Sequence, residues 1–549
     1  MASLNPHTNA LGTAFARHLL RRATFGYSKQ LVDQFAALTP NQALNLLLQD
    51  NSPAVTLPYD PLPAGTPDGF WTTSTVLSTT FTNQARKANI VSGWWWYNAT
   101  KSATLKYKLT HFLSTRFTIE KTTNAGSATD FFDHLMLLEK FAYGNYKTLA
   151  KKMTVNNSML LYLNNNANIK TAPNENYARE FFELFTIGKG PQISAGNYTN
   201  YTEVDVVEAA KVLTGFKRQN TRATIDPDTG IPMGTTQFSQ HNVTTKTFST
   251  AFNNQTIAPA TSATAMFTEL DQFVEMVFGK IATAKNICRK MYIYFVKANI
   301  TSEVESDIIA PLAQMLFSNG YELAPVIRKL LESQHFYDLD DANPNDENIG
   351  AIIKSPLQQI SEVCSSLQVT IPDPNTNPAG FYINFWNNFV HNSFMTLSNM
   401  IPFDPENVAG HPAYYQSPDY DKTWISASTL IARYRLGESM LDGLNRISGN
   451  ANIIAKVDIV NVVKNGGVFT NASDAVALTT QLCNLLFAQN PDVSRVTYFM
   501  NSFLLQGLAT FYWADAWNLF LANNNKSVVE PRLKLLVSKL LAAPESQIF

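Results

Sequence analysis

Cysteine is scarce in this sequence, with three among 549 residues. Cys288, Cys364 and Cys483 lie far apart, each within an apolar stretch of helical character. No two of them stand at the short separation that metal-binding or redox pairs use. The sequence therefore predicts three buried free thiols, which suit a reducing compartment.

Charge of either sign is also in short supply. Charged residues make up 15% of the chain, and 42 Lys and Arg residues nearly balance 43 Asp and Glu residues. A net charge of −1 provides no basic surface of the kind that binds nucleic acid or an anionic membrane. We therefore expect no nucleic-acid partner.

Long uninterrupted hydrophobic runs are missing. In the most apolar stretch, FMNSFLLQGLATFYWADAWNLFLA at 499–522, polar or charged residues recur at Asn501, Gln506, Asp515 and Asn518. Because such groups are costly inside a bilayer, the stretch predicts a buried helix or pair of helices and no membrane span. The first 26 residues lack the apolar core of an export signal. Together with the free thiols, this predicts a cytoplasmic protein.

Short motifs of familiar chemistry are absent too: the sequence has no nucleophile elbow, phosphate-binding loop, zinc signature or dinucleotide fingerprint. The acidic stretch YDLDDANPNDEN at 337–348 lacks the central glycine and the correctly spaced terminal glutamate of a calcium loop. We interpret it as a solvated acidic loop.

Apolar side chains, by contrast, are plentiful: 45% of the residues are hydrophobic and 12% are aromatic. They recur with helical spacing through most of the chain, as in the stripe formed by Phe15, Ala16, Leu19, Leu20 and Ala23. The sequence predicts a mainly α fold, a large multi-layer helical protein with a small β-hairpin insertion.

Two stretches interrupt the helical pattern and suggest the organisation of the chain. Residues 217–262 are rich in Thr, Asn, Ser and Gln, and the turn-forming DPDTG at 226–230 separates two Thr-rich runs, which predicts the hairpin. Residues 372–424, rich in Pro, Asn and Tyr, predict an ordered loop-rich crossing. We therefore predict an N-terminal helical body over 1–371 that includes the insertion, then the crossing, then a C-terminal helical region over 425–549 packed on the body.

The segment NENYAREFFELFTIGKG at 174–190 is apolar, yet it concentrates charge. At 100° per residue, Glu175, Arg179, Glu180 and Glu183 share one helix face, opposite the aromatic residues. Arg179 is four residues from both Glu175 and Glu183 and can pair with either. Glu180 and Glu183 are three residues apart, where two like charges are costly unless a cation or a proton lies between them.

A second helix is predicted in YTEVDVVEAAKVLTGF at 201–216, because Thr202 and Asp205 match a capping box. If this helix packs antiparallel to the first, carboxylates from both would converge. Hard divalent metals require such carboxylates. The candidate metal ligands are Glu180, Glu183, Glu203, Asp205 and, from the insertion, His241.

Two interpretations of this region stay open. In the functional one, a site for acid-base chemistry has the candidate catalytic residues Glu180, Glu183, His241 and Lys246. In the architectural one, a salt-bridge and capping network fixes how the two helices cross; its members are Glu175, Arg179, Thr202 and Asp205.

Seven blocks of the sequence, in this order, resemble one bacterial family. They are HLLRRATFG (18–26), the acidic segment at 174–190, YTEVDVVEAAKVLTGF (201–216), HNVTTKTF (241–248), ICRKMYIYFV (287–296), IKSPLQQI (353–360) and LAAPESQIF (541–549). From about residue 12 to the end, the chain is similar to the family known as domain of unknown function 1800. The resemblance implies a mostly helical protein without an established reaction. It also implies a frequent neighbour, a second family of unknown function, numbered 1501, that resembles sulfatases and phosphatases.

Two functional hypotheses of different class follow. In the first, the chain is an accessory or scaffold protein that acts with a partner, for which the resemblance suggests the sulfatase-like family. In the second, it is a metal-assisted hydrolase or oxidase that uses a carboxylate and His cluster with a divalent metal.

Overall fold

A computed structural model describes residues 2–549 apart from the positions 51, 53–55, 63–66, 76–80, 122–124, 220, 344–345, 445–446, 448–455 and 468. In the described part, 57% of the residues are helical, in 22 α-helices, and only three small two-stranded antiparallel sheets occur. The prediction of a mainly α fold is therefore confirmed.

The described part of the N-terminal third contains eight α-helices. Its helices are α1 (Gly12–Ala23), α2 (Lys29–Ala36), α3 (Pro40–Leu47), α4 (Gln84–Lys101), α5 (Lys106–Ser114), α6 (Ala128–Lys140), α7 (Tyr146–Thr154) and α8 (Asn157–Tyr162).

The middle third combines helices with the small sheets. In chain order it contains α9 (Asn176–Glu180), β1 (Gln192–Ser194), β2 (Asn197–Tyr198), α10 (Glu203–Val212), β3 (Phe216–Lys217), β4 (Thr235–Thr236), β5 (Lys246–Thr247), β6 (Thr256–Ile257), α11 (Ala265–Phe278), α12 (Ile281–Phe295), α13 (Ser302–Val304), α14 (Ala310–Ser318), α15 (Leu323–Leu331) and α16 (Pro356–Ser366).

The C-terminal third contains α17 (Ala427–Asp442), α18 (Ile459–Asn465), α19 (Ala475–Leu486), α20 (Val493–Phe499), α21 (Thr510–Asn523) and α22 (Val529–Leu541). Wider π-helical segments, with hydrogen bonds from residue i to i+5, occur at Phe181–Phe185, Glu305–Ile309, Ala379–Met395 and Met500–Leu505.

One continuous cluster of buried hydrophobic side chains holds these helices together. It extends from Leu19 in α1 through Trp95 and Trp96 in α4 to Leu536 in α22. Each of the three predicted segments of the chain contributes members to it. The segment boundaries themselves stay predictions.

Part of the stretch 372–424, which we predicted to be a loop-rich crossing, is helical, since the π-helical segment Ala379–Met395 occupies much of its first half. Asn residues of low helix propensity obscured the pattern, but Phe381, Phe385 and Trp386 are buried. The segment packs closely on α4: a Cβ atom added to Gly93 would lie 2.7 Å from the Trp386 ring. Glycine at position 93 thus allows the two helices to approach.

The insertion at 217–262 contains two small sheets, β3 paired with β4 and β5 paired with β6. The DPDTG turn lies between β3 and β4, where the Gly230 amide donates to the Asp226 carbonyl oxygen at 2.8 Å. The third sheet, β1 with β2, lies outside the predicted range. Two-residue strands carry too little period-two alternation to be read from sequence.

The structure confirms the prediction for the cysteines in full and the prediction for the apolar stretch near the C-terminus in part. Cys288, Cys364 and Cys483 are buried and unpaired, as predicted. The stretch 499–522 does form a pair of helical elements, but α21 is not buried all round. Within the described ranges, no helix combines the length and apolar character needed to cross a membrane.

Candidate functional site

The charged face predicted around position 180 lies on a helix whose geometry changes in mid-course. The regular turns of α9 end at Glu180, and a π turn follows at Phe181–Phe185. The Thr186 hydroxyl donates to the Phe181 carbonyl oxygen at 2.5 Å, and the Tyr146 hydroxyl donates to the Phe185 carbonyl oxygen at 2.9 Å. Single π turns within α-helices are frequent at functional sites.

Arg179 links α9 to the start of α10. Its guanidinium donates to both carboxylate oxygens of Glu203, at 2.7 and 2.9 Å, and to Glu175 at 3.1 Å. These hydrogen bonds raise the pKa of Arg179 and lower that of Glu203. The fork-shaped contact joins the two helices, and it occupies the carboxylate of Glu203.

Glu183 and Glu180 have different surroundings. Glu183 forms an ion pair with Lys189 at 2.5 Å, just after the helix. Glu180 is half-buried and forms no ion pair with the described residues. Burial, followed by the nearby Glu183 charge, raises the pKa of Glu180 to about 7. Glu180 is therefore poised to gain or lose a proton near neutral pH.

Tyr201 lies beside these carboxylates. Its side chain is fully buried, and its ring stacks on that of Phe182, with centroids 5.2 Å apart and planes 17° apart. Its hydroxyl finds no hydrogen-bond partner among the described residues. Burial, and then the charge of Glu183, raises the pKa of Tyr201. A buried hydroxyl without a partner costs free energy.

Asp205, at the start of α10, is turned away from this group. Its carboxylate accepts hydrogen bonds from the Thr202 amide and hydroxyl, at 2.8 and 2.9 Å, and from the Ser249 amide and hydroxyl, both at 2.7 Å. Three of these bonds go to Oδ2 and one, from the Ser249 amide, goes to Oδ1. Asp205 therefore caps the helix and anchors the insertion.

His241 and Lys246 lie in a separate buried cluster around Glu269 of α11. The two ring nitrogens of His241 face the Thr214 carbonyl oxygen at 2.8 Å and the Glu269 carboxylate at 3.1 Å. Lys246 pairs with the other oxygen of Glu269 and donates to the Asn242 carbonyl oxygen at 2.6 Å. Both His241 nitrogens are thus engaged by contacts within this cluster.

The five candidate metal ligands are thus divided among three sets of contacts. Across the part of the chain that the structure describes, no group of three or more His, Cys, Asp or Glu side chains could hold a metal ion. The predicted convergence does not occur, because Asp205 faces the insertion and His241 belongs to the cluster around Glu269.

Sequence reasoning missed Tyr201, Lys189 and Glu269. Lys189 comes four residues after the π turn ends at Phe185 and Tyr201 comes 16 residues after it, and a polar end within an apolar context is the local signal that each carries. Glu269 lies 28 residues beyond His241, in a helix with no distinguishing motif. The contact between Glu269 and His241 arises from the packing of α11 against the insertion.

Comparisons with known proteins give one result. A family model described as protein of unknown function (DUF1800) matches residues 18–548, nearly the whole chain. No curated protein matches the chain, and no solved structure does.

Proposed function

The chain belongs to the DUF1800 family, whose function is unknown, and from its surface we propose that it is an accessory protein that binds a partner protein through the outer face of α21. One observation supports this function above all. Large apolar side chains lie on both sides of α21, and the described residues of the chain cover only one of these sides.

The inner side of α21 packs against α19, α22 and the π turn before it, where Trp513, Trp517 and Phe520 are buried. On the outer side, Phe511 is 57% exposed and Leu519 is 59% exposed. Tyr512 is 51% exposed and stacks on Phe511 with centroids 4.3 Å apart. The exposed polar residues of this helix include Asp515 and Asn518, and large apolar side chains that are grouped on an exposed face mark interaction sites.

The size of this face suits the centre of an interface. Large side chains bury 150–250 Å² each, so the three exposed residues present roughly 300 Å² of apolar surface, comparable to the patches that mark interaction sites. Aromatic anchors at an interface centre contribute most of its binding free energy. Phe511, Tyr512 and Leu519 are therefore the anchors in this proposal.

The charges on α21 favour a protein over a membrane surface as the occupant. The helix carries Asp515 on its outer side and has no Lys or Arg, whereas helices that lie on anionic membranes are rich in both. The expected partner offers an apolar groove with a cation or hydrogen-bond donor opposite Asp515. The family resemblance points to the sulfatase-like family numbered 1501.

The test uses the purified full-length chain and the purified sulfatase-like protein of the same bacterium, with binding measured by calorimetry. The double variant Phe511→Ser, Leu519→Ser is expected to bind at least ten-fold more weakly, a loss of about 1.4 kcal/mol or more. The matched control is Val243→Ser, an exposed apolar residue of the insertion, which is expected to leave binding unchanged. Equal binding by the double variant, no binding by the wild type, or dimerisation of the chain through α21 would each overturn the proposal.

An acid-base enzyme is the second candidate function. Glu180, with its pKa near neutrality, and the unpartnered Tyr201 hydroxyl beside it favour this function. In such an enzyme Glu180 would exchange a proton with the substrate and Tyr201 would donate a hydrogen bond to it.

A panel of chromogenic ester, phosphoester and glycoside substrates tests this second candidate. Hydrolysis that is lost in Glu180→Gln and retained in Glu175→Gln would support it, because both substitutions remove one carboxylate from the same helix face. No hydrolysis, or equal hydrolysis by both variants, would contradict it.

A further inference from the structure

A polar cleft of about 740 Å³ opens between the residues that follow α12 and the segment 417–422. Lys297, Asp346, Gly350, Asp419 and Lys422 are among its lining residues. Its volume falls within the range of ligand pockets. None of the candidate residues discussed above lines it.

A small chamber of about 30 Å³ adjoins this cleft. The two cavities share the lining residues Ala298, Ile353, Tyr420 and Asp421. The chamber has the volume of about one water molecule. One of the side chains that line it is Lys108, from α5.

Lys108 is 3% exposed and has unusual surroundings for a lysine. Its Nζ donates to the Gln358 Oε1 atom at 2.5 Å, and it lies 4.6 Å from the centre of the Phe25 ring and 5.2 Å from that of Phe549. No carboxylate in the described ranges lies within ion-pairing distance of it. By contrast, Lys106 on the same helix pairs with both Asp50 and Glu139.

We propose that Lys108 is the amine of a carbonyl-binding site, which takes small neutral aldehydes that enter through the cleft and place their carbonyl group in the chamber. Two geometric observations support this proposal. The Lys108 amine has no carboxylate within ion-pairing distance in the described ranges, and it lies at the wall of the small chamber that adjoins the cleft. Buried lysines are usually paired with a carboxylate, as Lys87 is with Asp60 and Lys354 is with Glu362.

The reaction requires no oxidant or reductant. The lone pair of neutral Nζ adds to the carbonyl carbon, and the carbonyl oxygen takes up a proton to give a carbinolamine. Loss of water then forms the C=N bond of an imine, and the nitrogen gives up its remaining proton. Asp421 lines both cavities and is the acid that would protonate the departing hydroxyl group, since burial raises the pKa of its carboxyl group.

The charge environment keeps part of Lys108 neutral. Burial lowers its pKa to about 7; Glu362 opposes this shift and Arg22 adds to it. The titratable groups around it come from α1, α5, α12, α16 and the segment 414–421, and they are Arg22, His111, Tyr294, Glu362, Tyr414 and Asp421. An exposed lysine with a pKa near 10.4 has only about one neutral molecule in 2,500 at pH 7.

The test treats the native full-length protein with acetaldehyde and sodium cyanoborohydride at pH 7, and follows ethylation of each lysine by peptide mass spectrometry. Lys108 is expected to react at least ten-fold faster than Lys106, which is the internal control. Its rate is expected to rise to about pH 7 and to level off above it.

The variant Gln358→Glu places a carboxylate beside Nζ and is expected to slow the modification of Lys108 at least ten-fold, with folding checked by circular dichroism. If this variant does not fold, the pH dependence of Lys108 modification in the wild type tests the proposal on its own. The proposal is overturned if Lys108 reacts only after urea is added, if it reacts no faster than Lys106, or if its rate continues to rise up to pH 10.

Discussion

Replacing Glu269 by Gln tests the buried cluster that anchors the insertion on α11. Glu269 is 2% exposed; its carboxylate accepts from His241 at 3.1 Å and from the Ala260 amide at 2.7 Å, and it pairs with Lys246. Glutamine preserves the volume of the side chain and removes its charge. Lys246, which is fully buried, then keeps only the charge of Glu208 nearby, and Glu208 is already paired with Lys211.

Two estimates set the expected decrease in the free energy of unfolding of the Glu269→Gln variant. Removing one partner of a buried ion pair costs about 3–5 kcal/mol. Lys246 can instead lose its proton, which at pH 7 costs about 4.6 kcal/mol, because its ordinary pKa of about 10.4 lies 3.4 units higher. The same cost at pH 9 is about 1.9 kcal/mol. We expect the variant to lose about 3–4 kcal/mol at pH 7 and about 2 kcal/mol at pH 9.

The sign of this pH dependence follows from proton binding. Burial already lowers the pKa of Lys246 in the wild type, and loss of the carboxylate lowers it further. The unfolded variant then binds more protons than the folded one, so its free energy of unfolding rises with pH. The loss of stability therefore becomes smaller between pH 7 and pH 9.

Urea denaturation followed by tryptophan fluorescence, at both pH values, measures the difference from the wild type. The double variant Glu269→Gln, Lys246→Met is the matched control, because it removes the uncompensated charge and is expected to recover part of the loss. A loss below about 1 kcal/mol at pH 7, or an equal loss at both pH values, would refute this account of the cluster.

Two further substitutions compare the effect on stability of a partly exposed charge, at Arg179, with that of a half-buried one, at Glu180. Arg179→Met is expected to cost at most about 1 kcal/mol, because the ion pairs of Arg179 are more than one third exposed; a loss above about 2 kcal/mol in thermal unfolding would contradict this. Glu180→Gln is expected to change nothing at pH 4 and to stabilise the protein by about 1–2 kcal/mol at pH 8, after allowance for solvent screening. The sign follows from its pKa of about 7: the folded state holds the proton to higher pH than the unfolded chain, so ionisation destabilises the wild type as pH rises from about 4 to 7. Melting temperatures across this range measure it, and a stabilisation independent of pH would argue against the raised pKa.

Features that depend on neighbours within a turn or two could be predicted from the sequence. Apolar residues at helical spacing predict the mainly α fold, because each helix must bury one stripe. The pattern of Thr202 and Asp205 is the same kind of local information, since the capping contacts join residues three apart. The free cysteines belong here too, because each lies within an apolar stripe.

The partners of the charged groups could not be predicted in this way. Arg179 is four residues from both Glu175 and Glu183, and it pairs with Glu175 and with Glu203 of α10, which the packing of α9 against α10 brings within reach. Glu183 pairs instead with Lys189, beyond the end of the helix. Helical spacing predicted the contact with Glu175, but it gives no information on partners outside the same helix.

The positions of most helices, and the apolar face of each, follow from side chains one or two turns apart and could be predicted from the amino-acid order alone. Three features follow only from the packing of distant segments: Lys108 contacts Gln358, 250 residues away; His241 contacts Glu269; and the outer face of α21 is exposed. Burial and long-range contact depend on how whole helices pack, and the same apolar pattern is compatible with a covered face or an open one.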